Sequence, residues 1–160
     1  MASIAELVEK YLAGPKALRQ AVAGMSREQL LARPVPGKWS TLEVVCHLAD
    51  FDPIGADRMK RVIAEDKPSL IGADEKHFAS ALHYHDRDLE EELTIIERTR
   101  SQMARILRKL PAEALNRVGN HNERGPQSLE QLLTTMSNHI PHHVKFIQEK
   151  RKALGLRGGG

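Results

Sequence analysis

Apolar residues recur at three- and four-residue intervals along almost the whole chain, and the runs begin where capping chemistry predicts helix starts. Ser3-Ile4-Ala5-Glu6 has the Ser-x-x-Glu form of a capping box, in which hydroxyl and carboxylate each satisfy an otherwise unpaired N–H. Leu7, Val8, Tyr11 and Leu12, then Ala17, Leu18, Ala21 and Val22, carry one apolar stripe to Gly24. Gly14-Pro15 is a point at which this first helix breaks or kinks. Ser26-Arg27-Glu28-Gln29 is a second box and opens a short turn that ends by Pro34, before the loop Pro34-Val35-Pro36-Gly37. Ser40-Thr41-Leu42-Glu43 then caps a second long helix, with Trp39 and Val44 spaced as a hydrophobic staple. Its inner face holds Leu42, Val45, His47, Leu48 and Phe51, and continues past a bend at Pro53 and Gly55 to Met59, Val62 and Ile63.

Residues 68–74 form a loop, and 77–86 have no clear period. From about Asp88 a third stripe, including Leu89, Leu93, Ile96, Met103 and Leu107, runs to Pro111. A polar stretch at 116–126 leads to Ser128-Leu129-Glu130-Gln131, which caps a final helix bearing Leu132, Leu133, Met136, Ile140, Val144 and Ile147. Four long amphipathic helices without a convincing strand predict an all-α four-helix bundle, with long connections before the third and fourth helices. One domain over 1–154 is expected, followed by a flexible glycine-rich tail at 155–160.

Composition narrows the function classes. A net charge of +3 is modest, and the basic stretches at 98–109 and 145–157 have acids interleaved. They predict solvated helix faces and no nucleic-acid partner. The single cysteine, Cys46, permits no intrachain disulfide. No apolar run approaches the roughly 20 residues of a membrane span, and no secretory signal is evident, so a cytoplasmic protein without a membrane partner is expected. No Ser-His-Asp order, phosphate-cradling glycine loop or zinc-ribbon cysteine pattern is present.

Three histidines carry the candidate chemistry. His139 and His143 are four residues apart and leave one face of the last helix a turn apart, where two imidazoles can share an ion. His47 lies on the inner side of the second helix, where a polar ring needs a partner. Together they predict a three-histidine metal site with open positions; two bonded core histidines and a structural His47 are the plainer alternative. Pro141 lies between the pair and removes one helical N–H. A His139/His142 pairing is the rival geometry, with His142 otherwise exposed or in a supporting role. Asp50, three residues after His47, is placed to accept the proton of the non-ligating nitrogen. Cys46 is expected as a small buried thiol; Glu43, one turn before His47, is a further candidate ligand whose capping role already explains it. His77, His83, His85 and His121 have no informative spacing; the loop at 77–86 would have to fold over the site to contribute.

Two segments resemble the DinB/YfiT-like metalloprotein superfamily. Pro36-Gly37-Lys38-Trp39-Ser40-Thr41-Leu42-Glu43-Val44-Val45-Cys46-His47-Leu48-Ala49-Asp50 resembles that family's Trp-Ser helix entry followed by His-Leu-x-Asp. The stretch from His121 to Ile147, including Gly125-Pro126-Gln127-Ser128-Leu129 and Asn138-His139-Ile140-Pro141-His142-His143-Val144-Lys145-Phe146-Ile147, resembles its His…Gly-x-x-Ser/Thr-Leu segment and closing helix with ligands four residues apart. The stretch 84–110 also fits the family's third helix. Two departures stand out: Pro141 falls within the ligand turn, and Phe146 stands near a position where some members place another histidine.

The resemblance implies up-down-down-up helix order, metal ligands at His47, His139 and His143, and pairing as a homodimer. It also implies a divalent ion, zinc or nickel, and a reaction of the thiol S-transferase type. In that reaction a low-molecular-weight thiol acts on a small electrophile. A metal-dependent hydrolase, or a bundle that binds metal without catalysis, are the other outcomes consistent with it.

Overall fold

All four capping boxes and stripes become helices in the computed structural model, which describes residues 3–157. The long helices are α1 (Ile4–Val22), α3 (Thr41–Ala64), α5 (Leu89–Leu107) and α6 (Leu129–Ala153); the short ones are α2 (Arg27–Leu31) and α4 (Glu75–Ala81). In each predicted box the serine hydroxyl accepts from the backbone three residues on, while the Glu or Gln side chain accepts from the serine N–H. Pro15, Pro53 and Pro141 all lie within unbroken helices, so none ends its element.

Contacts fix the helix directions. Gly14 faces Ile140, and Arg151 Nη1 donates to the Ala21 carbonyl at 3.2 Å, so α1 and α6 run parallel. Glu9 pairs with Arg108 while Arg19 pairs with Glu90, so α1 and α5 are antiparallel. His47 meets His139 while Gly55 meets Met136, so α3 and α6 are antiparallel. The order is therefore up-down-down-up. Parallel α3 and α5 require a return passage along the bundle, which residues 65–88 provide.

The expectation of no strands is corrected. β1 (Ser69–Leu70) pairs in parallel with β2 (Val118–His121), which pairs antiparallel with β3 (Gly125–Ser128). These segments lack the alternating β-branched pattern of a strand. They are held by long-range contacts instead: Asn120 N–H donates to Pro68 O at 2.8 Å, and a Cβ on Gly119 would lie 2.9 Å from Leu70 and Val62. The residues at 77–86 are ordered as the end of α4 and a one-turn 3₁₀ segment (Tyr84–Asp86), with His83 in the left-handed region at φ 50°.

The core is in two apolar halves. One contains Leu7, Val8, Met59, Met103, Leu107 and Leu133; the other contains Leu18, Leu42, Leu48, Ile96, Ile140 and Ile147. Between them sits a buried polar knot. Arg100 and Asp52 are both 0% exposed and joined by two hydrogen bonds of 2.6 and 2.8 Å. Arg100 also donates to Tyr11 O on α1 and Met136 O on α6, so one side chain ties all four long helices together.

The basic stretch at 145–157 is not wholly a solvated face. Lys150 and Arg151 are buried, and Arg151 donates to the Ala21 and Ala23 carbonyls that the end of α1 leaves open. Of the tail expected to be flexible, Gly155 closes α6 through bonds from the Gly155 and Leu156 N–H groups, while 158–160 lie outside the described residues. Among the described residues no helix is long and apolar enough to cross a membrane.

Candidate metal centre

His47 is buried because the whole first part of α3, from Thr41 to Ala49, lies inside the bundle. Its ring is 1% exposed and lies between Trp39 and Phe51, with ring centroids 5.3 and 4.6 Å away. His139 and His143 come from consecutive turns of α6 and face it across the helix–helix contact. One ring nitrogen from each of the three lies within 4.8 Å of the other two. The Nε2 atoms of His47 and His139 are 3.1 Å apart. Pro141 is exposed on the opposite side of α6, so its missing N–H does not displace the pair.

Electrostatics keep all three rings neutral. Burial is the first cause for each and pushes His47 down to about 4 from 6.5; proximity to His139 adds to it. His139 and His143 are each pushed down to about 3, by burial and then by neighbouring imidazoles. Neutral imidazole has a free lone pair, the form that ligates metal. Two Nε2 atoms in contact can share at most one proton, and a third ring aimed at them has no proton-donating role left. Three convergent neutral nitrogens suit a borderline divalent ion such as zinc or nickel. The donor set fits the group.

The surroundings differ from expectation at several positions. Asp50 does not serve His47: both its oxygens are taken by Arg87, at 2.7 and 3.0 Å, and Nδ1 of His47 has no protein partner. The physical reason is the helix itself, since three residues of rotation carry Asp50 toward the start of α5, where Arg87 also holds Glu92. His142 is exposed and packs on Phe146 at 5.0 Å, so the structure brings together His139 and His143 and not the rival pair. Cys46 is a buried thiol, 3.5 Å from Tyr84 O, with its pKa pushed up to about 12 by burial. Glu43 caps α3 and pairs with Arg33. His77 and His83 are exposed, and His85 contacts Glu43 at 3.0 Å, so none of the three reaches the cluster.

Sequence reasoning missed the residues that shape access. The return passage from α3 to α5 carries Glu75 past the cluster, where its carboxylate lies 3.9 Å from Nε2 of His47 and is half exposed. On one side of Glu75 is a cavity of about 330 Å³ lined by His47, His139, Phe51, His121, Arg58 and Arg124. On the other is a cavity of about 310 Å³ lined by His143, Trp39, Phe146 and three lysines. His121 is brought in by the β2 pairing, and its Nδ1 accepts from Glu123 N–H. No spacing in the sequence links it, Glu75, Lys38 or Lys76 to α6, whereas Lys150 lies on α6 itself, seven residues after His143.

Known proteins share this sequence pattern and fold. Residues 11–147 match the model of the DinB superfamily. A protein of Oceanobacillus iheyensis, provisionally named a metal-dependent hydrolase, is 30% identical over 140 residues, 86% of this chain and 81% of that protein. One of Geobacillus thermodenitrificans, named likewise, is 30% identical over 156 residues, 94% of this chain and 88% of its own length. The solved structure of YfiT from Bacillus subtilis, described as an unusual four-helix bundle, superposes with a TM-score of 0.89 at 25% identity. That match covers 96% of this chain and 89% of YfiT. The chain belongs to the DinB superfamily.

Proposed function

We propose that this protein is a metal-dependent enzyme of the thiol S-transferase type, with a divalent ion held by His47, His139 and His143. The observation that carries the proposal is the pair of cavities meeting at the cluster from either side of Glu75. A transfer between two molecules needs two approaches to one centre; hydrolysis needs one, with water for the other. An ion on three imidazoles supplies Lewis acidity at its open positions and lowers the pKa of a thiol taken there.

The chain's own residues do the rest. Trp39, Phe51 and the surrounding core fix the ring of His47 and limit the water around it. Keeping all three imidazoles neutral leaves their lone pairs available near neutral pH. Glu75 stands where it can orient a proton-bearing group between the two cavities. In the reaction a sulfur–carbon bond forms, the bond from that carbon to its leaving group breaks, and the thiol proton passes to the leaving group or to solvent. The identity of the ion as zinc or nickel, the thiol cosubstrate and a homodimer belong to this proposal.

Hydrolysis is the second reading, favoured by the names of the relatives and by a carboxylate placed to orient water. The deciding experiment incubates zinc- or nickel-loaded protein with a panel of small thiols and alkylating electrophiles. Thiol consumed in step with electrophile, lost on chelation, is the expected result. Metal-dependent cleavage of esters or amides without any thiol transfer would overturn it in favour of hydrolysis.

A further inference from the structure

The cavity on the His143 side holds a charge that nothing in the fold explains. Lys150 is 3% exposed, yet its ammonium makes a single hydrogen bond, to Phe146 O at 3.3 Å, and lies 6.0 Å from the Phe146 ring centroid. An ammonium has three donors, and a buried one without a counter-ion is costly. Its pKa is accordingly held below that of an ordinary lysine, by burial first, with Lys38 adding to the effect while Glu149 and Glu43 oppose it. Glu43 cannot turn to it, because its oxygens are engaged by Arg33, His85 and the Ser40 N–H. Lys38 and Lys76 line the same cavity, and Glu75 at its inner rim is the one acid in its lining. The remaining walls include the broad apolar faces of Trp39 and Phe146. A positive end, apolar walls and an opening onto His143 define a ligand of one kind.

We propose that this cavity binds an organic anion, with its carboxylate at Lys150, Lys38 and Lys76, its flat apolar body against Trp39 and Phe146, and its reacting end toward His143. The inference rests on the transferase reading above and names the electrophile's class; the thiol then occupies the cavity on the His47 side.

Trp39 is the only tryptophan of the chain and lies in the cavity wall, so its fluorescence reports occupancy directly. 4-Nitrobenzoate and 4-nitrobenzamide have the same shape and both quench tryptophan; only the first is charged. Titrations on metal-free and zinc-loaded protein should saturate with the acid at least about tenfold tighter than with the amide, the loss expected for one charged contact. Lys150→Met, which keeps the apolar stem, should abolish that preference. Arg124→Gln, in the other cavity, should leave it intact. A Lys38→Gln/Lys76→Gln variant, altered only at exposed positions, should lower the preference and carries the test should Lys150→Met fail to fold. Equal binding of acid and amide, no saturable quenching by either, or a preference that survives loss of these lysines would overturn the proposal. Acid-selective binding without turnover of any thiol and electrophile would leave this subsite standing and remove the transferase reading. Turnover without acid selectivity would do the reverse.

Discussion

Arg100 donates at 2.7 Å to the carbonyl of Tyr11, the carbonyl whose helical partner would be the N–H that Pro15 lacks. The proline that reads as a helix breaker therefore creates an acceptor, and a guanidinium from another helix fills it. Its second arm holds Asp52. Replacing Arg100 with Met leaves the Asp52 carboxylate and the Tyr11 carbonyl buried without their donor, and takes a second donor from the Met136 carbonyl. The expected loss is about 3–5 kcal/mol in a urea titration. An Asp52→Leu/Arg100→Met double variant should be less destabilised than Arg100→Met alone, because no unpaired charge remains.

Gly14 is the space into which that guanidinium fits. A Cβ there would lie 2.7 Å from Arg100 Nη1 and 3.0 Å from Ile140 Cδ1. Gly14→Ala should cost about 1–3 kcal/mol by overpacking, although alanine is the better helix former. Denaturation midpoints measure it; a stabilised variant would contradict the packing described.

These two residues also show what the sequence could and could not reveal. Most helix positions were legible because α1, α2, α3 and α6 each start with a serine capping box and the long helices each carry an apolar stripe, both local signals. The His139–His143 pair was legible for the same reason, since its spacing is a property of one helix. Arg100 on α5 gave no sign of burial, because its partners, Tyr11, Asp52 and Met136, are distant in the chain. β2, with Gly119 and Asn120, pairs because tertiary contacts hold it and not because of its own propensity. Asp50 was assigned to His47 from spacing alone, and a cation from beyond the periodic segments, Arg87, took it instead.

Acid should destabilise the metal-free protein through the histidine cluster. The three rings have native pKa values of about 3 to 4 against 6.5 in the unfolded chain. Between those values the unfolded state binds more protons, so stability rises with pH across the window. The contribution is intact above about 6.5 and lost as pH falls toward 4. Thermal melts of metal-free protein at pH 7.5, 6, 5 and 4.5 should show Tm falling with pH. The fall should be shallower in His139→Ala, which removes one such ring.

Metal should stabilise the fold by binding across α3 and α6. Free zinc at a hundred times its Kd adds about 2.7 kcal/mol to a protein that binds it only when folded. Chelation should reverse the gain, and His143→Ala should show neither the gain nor its reversal. Differential scanning calorimetry with and without zinc makes the comparison.

The proposed chemistry depends on one ion held by His47, His139 and His143. Its most direct test is metal content by inductively coupled plasma mass spectrometry, on tag-free protein purified without chelator or nickel resin. Wild-type protein should hold about one zinc or nickel per chain, as a site with three protein ligands would, and His143→Ala should lose it. Wild-type protein that is empty and also refuses added zinc and nickel would contradict it.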